Sequence, residues 1–176
     1  MPSDEHLMKK VVKGDGEALS VLMKRYSNRL YGYLFRSTRS QQDAEDLLQD
    51  TWIRVATKAK SFDPHRSFRP WVFGIASNLV RDLFRRRERQ NRTLSDAAIH
   101  SKLAQPEPDL EHREAEILDQ VKDLPERMRQ IVLLRFFEGL SIAEVAESLG
   151  VAQGTVKSRL HTAVVRLRKT YRKSPR

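Results

Sequence analysis

The spacing of apolar residues constrains the fold of this chain more than any other feature. Apolar side chains recur at intervals of three and four residues nearly everywhere and almost never alternate with polar ones. Such spacing collects them on one face of an α-helix, whereas a half-buried strand requires alternation. Three stripes are clear: Leu19, Leu22, Met23, Tyr26, Leu30 and Tyr33; Ala44, Leu47, Leu48, Thr51, Trp52 and Val55; and Phe68, Val72, Ile75, Leu79 and Leu83. We predict an all-α fold in which these stripes form the core.

The helical pattern is interrupted between residues 93 and 109. This stretch has weak periodicity and two prolines among small and polar residues, which is typical of a linker. Beyond it, Pro125 opens a further helix and Gly139 ends it. A chain of 176 residues can hold two small helical domains, each with a modest core. We therefore predict domains at residues 1–92 and 110–176, joined by a flexible linker at 93–109.

The charge of the chain points to a polyanionic partner. There are 33 lysines and arginines against 23 acids, a formal net charge of +10. Such an excess attracts nucleic acid or an anionic membrane. Two stretches concentrate it: residues 81–92 hold six arginines against two acids, and residues 157–176 hold eight basic residues and no acid. We expect two separate basic surfaces, one in each domain.

Membrane insertion and thiol chemistry are not expected. No apolar run approaches the roughly 20 residues that span a bilayer, and the N-terminal sequence MPSDEHLMKK lacks the basic-then-apolar order of a secretory signal. The chain has no cysteine, which removes disulfides, thiolate nucleophiles and thiol-ligated zinc from consideration. We predict a cytoplasmic protein without a cofactor or a metal.

A helix-turn-helix is indicated by the sequence SIAEVAESLGVAQGTVKSRL at residues 141–160. Ser141 and Glu144 fit a capping box that starts a helix ending near Leu149. Gly150 supplies the left-handed residue for a sharp turn, and a second helix begins near Ala152. A small residue, a glycine and a β-branched residue then fall at the spacing of the motif, at Ala146, Gly150 and Val156.

The second helix of this pair has two distinct faces. Val156, Leu160, Ala163, Val164 and Leu167 point inward, whereas Gln153, Gly154, Lys157, Ser158 and His161 point away. A major groove could accept the outer face, because Gly154 removes bulk and the polar side chains offer hydrogen bonds to base edges or phosphates. His161 fits a phosphate contact and an ordinary surface histidine equally well. The basic residues that follow, from Arg166 to Lys173, extend the positive surface over the phosphate backbone.

Three segments together resemble a known family: DAEDLLQDTWIRV at 43–55, FDPHRSFRPWVFGIASNLVRDLFRRR at 62–87, and LPERMRQIVLLRFFEGLSIAEVAESLGVAQGTVKSRL at 124–160. They are similar to regions 2 and 4 of bacterial RNA polymerase sigma factors of the extracytoplasmic-function (ECF) class. The resemblance implies a region 2 domain that docks on the polymerase β′ clamp and opens the −10 element. It implies a region 4 domain that reads the −35 element as duplex, with the β flap as its polymerase contact, and an anti-sigma factor as a further partner. The sequence departs from the family at Ala152, where the position before the recognition helix is often Ser or Thr. That helix therefore lacks a side-chain cap worth about 1 kcal/mol.

The resemblance implies three sets of site residues. The residues expected to bind core polymerase are Asp43, Asp46, Gln49, Asp50 and Ile53. Those expected to bind −10 DNA are Trp71, Asn78, Arg81, Arg85 and Arg86. Those expected to bind −35 DNA are Gln153, Gly154, Thr155, Lys157, Ser158, Arg159 and His161. Helical geometry alone puts four of them on one outward face: Asp46, Gln49, Asp50 and Ile53. Such a face suits a partner, but it also suits an ordinary solvated surface with one stray apolar residue.

The side chains of the −10 set also suit binding of a separated strand on chemical grounds alone. The amide of Asn78 can pair with a base edge, and the arginines can hold the backbone of a separated strand. Trp71 and Phe73 could stack on bases, although such rings on an amphipathic helix are more often core.

Two other classes of protein fit the whole sequence less well. A helix-turn-helix repressor or activator would explain residues 141–173 equally well, but it would be expected to carry a ligand or receiver domain in place of the arginine-rich helical one. An enzyme is disfavoured, because the five histidines are scattered, no phosphate-binding loop is present, and KGDGEA is an acidic turn. We therefore expect no catalytic residues.

Overall fold

The computed structural model describes residues 1–93 and 120–171, with the side chains of 1–91 and 120–169. Within those ranges the structure contains α-helices, one 3-10 turn, one π turn and no strand. The first part comprises α1 (Asp4–Val12), α2 (Gly16–Thr38), α3 (Gln41–Thr57), the 3-10 turn Ala59–Ser61 and α4 (Phe68–Thr93). The second comprises α5 (Glu126–Val132), the π turn Leu133–Phe137, α6 (Ile142–Leu149) and α7 (Gln153–Tyr171). The predicted all-α fold is confirmed.

Of the predicted linker at 93–109, Thr93 is the last residue of α4, and residues 94–109 lie outside the described residues. The first ten residues of the predicted second domain, 110–119, lie outside them as well.

Local signals in the sequence set where the helices of the first part begin. Asp15 accepts a hydrogen bond from the amide of Ala18 at 3.0 Å, and Ser40 accepts one from the amide of Asp43 at 3.2 Å. These are side-chain N-caps, which satisfy amides that have no partner within the helix. Between α2 and α3 the chain reverses at Arg39, a non-glycine residue at φ 58°. The predicted cap at Ser40 is therefore confirmed.

The stripes predicted from sequence form most of the core. Leu22, Leu30 and Tyr33 of α2 and Phe68 and Val72 of α4 are almost fully buried, and so are Ala44 and Val55 of α3. The prediction was wrong for Met23, which is 37% exposed. Met23 lies one residue, and hence about 100° of helical rotation, beyond Leu22. It therefore sits at the edge of the apolar stripe, where its neighbours leave it partly open to solvent.

The helix from Pro125 to Gly139 is not uniform. After α5 the amide of Glu138 bonds to the carbonyl of Leu133, five residues back, at 3.0 Å. Gly139 then ends the segment at φ 66°. A π turn of this kind inserts an extra residue into the helix and is frequent at functional positions. Here it brings Glu138 to the side of the helix that faces α2 and α4.

Candidate polymerase and nucleic-acid interfaces

The predicted helix-turn-helix is formed by α6 and α7. Ser141 donates its amide to Glu144 Oε2 at 2.8 Å, and Glu144 donates its amide to Ser141 Oγ at 3.2 Å, which completes the capping box. Gly150 lies at φ 64° and ψ 38°, and the amide of Val151 bonds back to Ala146 at 3.0 Å. A side chain at Gly150 would be strained in this left-handed conformation. The predicted cap, turn and helix start are confirmed.

The outer face of α7 is open in the way the spacing predicted. Gln153, Gly154, Lys157, Ser158 and His161 are exposed, whereas Thr155 and Arg159 are half-buried. A Cβ at Gly154 would meet no atom within 4 Å. On the inner face, Val156 and Ala163 are fully buried. A helix anchored on one side and polar and cationic on the other can enter a major groove without disturbing its own packing.

A second open face lies on α3. Asp46, Gln49, Asp50 and Ile53 are all exposed, and Ile53 is 51% exposed. Asp43 differs from them, because Nη2 of Arg87 donates to both its carboxylate oxygens, at 2.8 and 2.7 Å. This pair joins the first turn of α3 to the arginine-rich part of α4.

The candidate −10 residues of α4 divide into two groups. Asn78, Arg85 and Arg86 are exposed. Trp71 and Arg81 are half-buried. The Trp71 ring packs edge-on against Phe62, with centroids 5.1 Å apart. Arg85 donates to Asp82 Oδ1 at 3.0 Å and Arg86 to the carbonyl of Asp82 at 3.3 Å.

Phe73, the other candidate ring for base stacking, is fully buried and packs edge-on against Tyr33, with ring centroids 5.6 Å apart. Phe73 therefore belongs to the core.

Sequence reasoning missed a buried carboxylate, that of Glu138. Glu138 is 4% exposed. Its Oε2 lies 3.4 Å from Nε of Arg29, and its Oε1 lies 3.9 Å from Nη1 of Arg36. Burial raises the pKa of this carboxyl, and the nearby arginines, Arg69 included, only partly oppose that rise. No local pattern signals this cluster, because Arg29 precedes Glu138 by 109 residues.

The two ends of the chain match two family descriptions. Residues 22–90 match Sigma-70 region 2, and residues 120–169 match Sigma-70, region 4. The ECF RNA polymerase sigma factor SigE of Mycolicibacterium smegmatis is 32% identical over 177 residues, covering 95% of this chain and 68% of that protein. The chain belongs to the ECF class of the sigma-70 family. It is a sigma factor, a protein that binds RNA polymerase core and directs promoter recognition.

One further relative belongs to the same class, and two solved structures share the fold. The sigma factor is 29% identical over 177 residues to the ECF RNA polymerase sigma factor SigW of Bacillus subtilis, covering 94% of this chain and 95% of that one. Its fold matches CnrH in complex with the cytosolic domain of CnrY at a TM-score of 0.76 and 24% identity, over 99% of this chain and 100% of that one. RpoE of Bartonella quintana, in complex with the anti-sigma factor NepR, gives the same TM-score and identity over 89% of this chain and 98% of its own.

The described parts of the sigma factor contain neither a membrane-spanning helix nor a cluster of metal ligands. Over residues 1–93 and 120–171, none of the helices is both long and apolar enough to traverse a bilayer. In the same ranges, no three His, Asp or Glu side chains are grouped so that they could hold a metal ion.

Proposed function

We propose specific roles for the three surfaces of this sigma factor. Region 2 docks on the polymerase β′ clamp through α3 and holds the opened −10 strand with α4, while region 4 reads the −35 duplex with α7 and contacts the β flap. The observation that carries this proposal is the exposed polar and cationic face of α7, fixed on its inner side by Val156 and Ala163. Such a face offers hydrogen-bond donors for base edges and positive charge for phosphates.

At the −35 element, Gln153, Lys157 and Ser158 are the residues placed to meet base edges. The half-buried Thr155 and Arg159 flank them, and His161 lies one turn further along the helix. Arginines and lysines nearer the end of α7 bind phosphates and add affinity without sequence preference.

At the −10 element, Asn78 is the proposed base-reading residue. Its exposed amide can pair with the edge of a base that has left the stack. Arg81, Arg85 and Arg86 hold the sugar-phosphate backbone of that strand, and Trp71 lies at the start of the same helix. The ring of Trp71 is already packed on Phe62 and Phe68, so its role is to shape the surface more than to stack on a base.

The clamp surface consists of Asp46, Gln49, Asp50 and Ile53, with Asp43 at its edge. A half-exposed isoleucine beside carboxylates suits a partner surface that is apolar at its centre and basic at its rim. Because Arg87 holds the Asp43 carboxylate, Asp43 links this surface to α4.

Further aspects of the proposal rest on the ECF class. We propose an anti-sigma factor as a regulatory partner, the cytoplasm as the compartment, and domains at 1–92 and 110–176 with a linker at 93–109. We propose no enzymatic activity and no cofactor.

Co-purification with core polymerase tests the proposed function. A tagged chain should retain core polymerase and support initiation from a promoter that core alone does not use. A helix-turn-helix repressor or activator, the other function compatible with α6 and α7, would bind duplex DNA without retaining core. Specific duplex binding in the absence of any core association would therefore replace the sigma proposal with that alternative.

A further inference from the structure

The last turns of α4 extend beyond the core of region 2. Leu83 and Phe84 still pack against the core, whereas every residue from 85 to 91 is exposed. We call residues 85–91 the arginine end of α4. An exposed stretch of about two turns gains little from packing, and like charges four residues apart, as at Arg85 and Arg89, oppose helix formation. The arginine end therefore depends on side-chain contacts to keep one conformation.

One such contact crosses from α4 to α3. Nη2 of Arg87 donates to both carboxylate oxygens of Asp43, at 2.8 and 2.7 Å, and the two residues are 44 positions apart in the chain. The side chain of Arg87 is 43% exposed, whereas that of Asp43 is only 16% exposed. The carboxylate of Asp43 is therefore engaged by α4, and little of this side chain is open to a partner protein.

The position of Asp43 is itself well fixed. Its amide donates to Oγ of Ser40 at 3.2 Å, and the chain reverses just before this cap, at Arg39. The next residue, Ala44, is fully buried. The cap and the buried neighbour hold the first turn of α3 in place. Arg87 is thus fastened to a rigid site of the domain.

A second acid, Asp82, orients the arginines that precede Arg87. Its Oδ1 accepts a hydrogen bond from Arg85 at 3.0 Å, and its carbonyl accepts one from Nε of Arg86 at 3.3 Å. Its Oδ2 lies 4.0 Å from Nη2 of Arg54 in α3. Three consecutive arginines therefore have oxygen partners within the chain before any DNA is bound. Side chains that are already ordered lose less conformational entropy on binding.

Asp43 differs from the other acids of its stripe on α3. Asp46 and Asp50 follow it at intervals of three and four residues, so all three lie on one side of the helix. Asp46 and Asp50 are exposed, whereas Asp43 is half-buried and paired with Arg87. Asp46 and Asp50 are thus available to polymerase, and Asp43 is occupied within the domain.

We propose that Asp43 is a positioning residue for the opening of the −10 element and does not contact polymerase. Through Arg87 it fastens the arginine end of α4 to α3, and this sets where Arg85 and Arg86 meet the opened strand. Because α3 is the proposed docking helix, the same pair places these arginines relative to polymerase. The inference rests on the proposed roles of α3 and α4, and it gives Asp43 a task that the family resemblance does not imply.

Hydrogen exchange tests the Asp43–Arg87 pair in the free chain. Asp43→Asn keeps the size of the side chain and removes its charge. An exposed ion pair adds little to global stability, so the thermal midpoint should stay the same. We expect the amides of residues 85–91 to exchange about two- to fivefold faster, the factor that corresponds to the loss of such a pair. Glu45→Gln makes the same acid-to-amide change at an exposed position of α3 and should exchange as the parent does. Parental exchange of residues 85–91 in Asp43→Asn would overturn the proposal.

Core binding and strand opening distinguish positioning from docking. At saturating core polymerase, Asp43→Asn should lower the permanganate reactivity of the −10 thymines by about two- to fivefold, while its affinity for core stays parental. Asp46→Asn, the matched change within the proposed docking face, should show the opposite pattern: weaker core binding, and normal opening once core is saturating. A loss of core affinity in Asp43→Asn as large as that in Asp46→Asn would make Asp43 a docking residue and overturn the proposal.

Exchange of the two charges shows whether Arg87 acts through Asp43 or on DNA. Asp43→Arg alone and Arg87→Asp alone each bring like charges together, so each should speed exchange at residues 85–91 and impair opening. The double variant restores an opposite-charge pair at unchanged net charge, and it should recover slow exchange and most of the opening. Opening that stays impaired in the double variant would make Arg87 a strand contact and overturn the positioning role. A failure of the sigma proposal would appear separately, as an absence of core association by the parent chain, and would leave the exchange result standing.

Discussion

Asn78 is the exposed residue between two buried neighbours at the centre of α4. Ser77 and Leu79 are 0% and 1% exposed, so a change at Asn78 should leave the packing of the helix intact. Asn78→Ala should preserve closed-complex formation on a linear promoter and impair open-complex formation, because it removes the group that meets the freed base edge. The loss of −10 preference should be about 1 to 3 kcal/mol, the range for a good base-edge pair.

Permanganate reactivity of the −10 thymines measures this opening directly. Asn28→Ala provides the matched control, since it makes the same change at an exposed position of α2. A premelted bubble should restore little of the lost base preference. Normal opening and an unchanged −10 preference in Asn78→Ala would remove Asn78 from the mechanism.

Glu138 allows a second prediction at the scale of one residue. Its pKa lies above the ordinary value of 4.5, because burial penalises the charged carboxylate more than Arg29, Arg36 and Arg69 favour it. A group whose pKa is raised on folding stabilises the folded state below its unfolded pKa, and loses that contribution as the pH rises through its folded pKa. The packing of Glu138 against α2 and α4 should therefore weaken as the pH rises from 4.5 through the folded pKa of Glu138.

Carbon-13 NMR of the side-chain carboxyls can follow Glu138, with Glu138→Gln identifying its signal. We expect the Glu138 signal to titrate above 4.5 in the parent protein. A Glu138 signal that titrates at the ordinary value in the parent protein would contradict the buried position of this carboxylate.

At the scale of the element, α7 is one helix with two separate tasks. Its inner face holds Val156 and Ala163 in the core, so its outer face can change without loss of the fold. Lys157→Ala should weaken −35 binding by about 1 to 3 kcal/mol if Lys157 meets a base edge. If it meets only a phosphate, all sequences should weaken alike and the salt dependence should decrease.

Quantitative footprinting of duplex promoter fragments at several salt concentrations separates these outcomes for Lys157. The control is Lys24→Ala, which removes the same charge from an exposed position outside the three proposed surfaces. A footprint insensitive to Lys157→Ala would argue against entry of α7 into the groove.

At the scale of the whole molecule, the docking of region 2 on core polymerase should depend on the exposed face of α3 and not on the packing beneath it. Changing Asp50 to Lys and Ile53 to Glu together should weaken core binding while circular dichroism stays unchanged, because both side chains are exposed. Glu45→Lys makes the same acid-to-lysine change as Asp50→Lys outside the proposed docking face, and it should bind core normally. Competition with a labelled sigma factor measures the affinity for core polymerase. A double variant that bound core with the parental affinity would show that the docking surface lies elsewhere.

Sequence alone determined the caps, the turn of the helix-turn-helix and the two faces of α7, because those depend on neighbours within about four residues. The N-cap at Ser40, the capping box of Ser141 and Glu144, and the glycine turn at Gly150 are local hydrogen-bond and backbone preferences. The exposed and buried faces of α7 follow in the same way from the helical period. For these features the physical cause is contained in the local sequence.

The tertiary structure alone decided what lies beside each face. Asp43 meets Arg87 across 44 residues and Arg29 meets Glu138 across 109. Neither the helical period nor a capping motif predicts such pairs, because the packing of one helix on another brings them together. The half-buried Arg81, whose charge acts on the carboxyl of Glu126, has such a distant partner for the same reason. A helical pattern shows which side of α4 faces its own domain, but which surface covers its flank depends on the shape and charge of a partner that is distant in the chain.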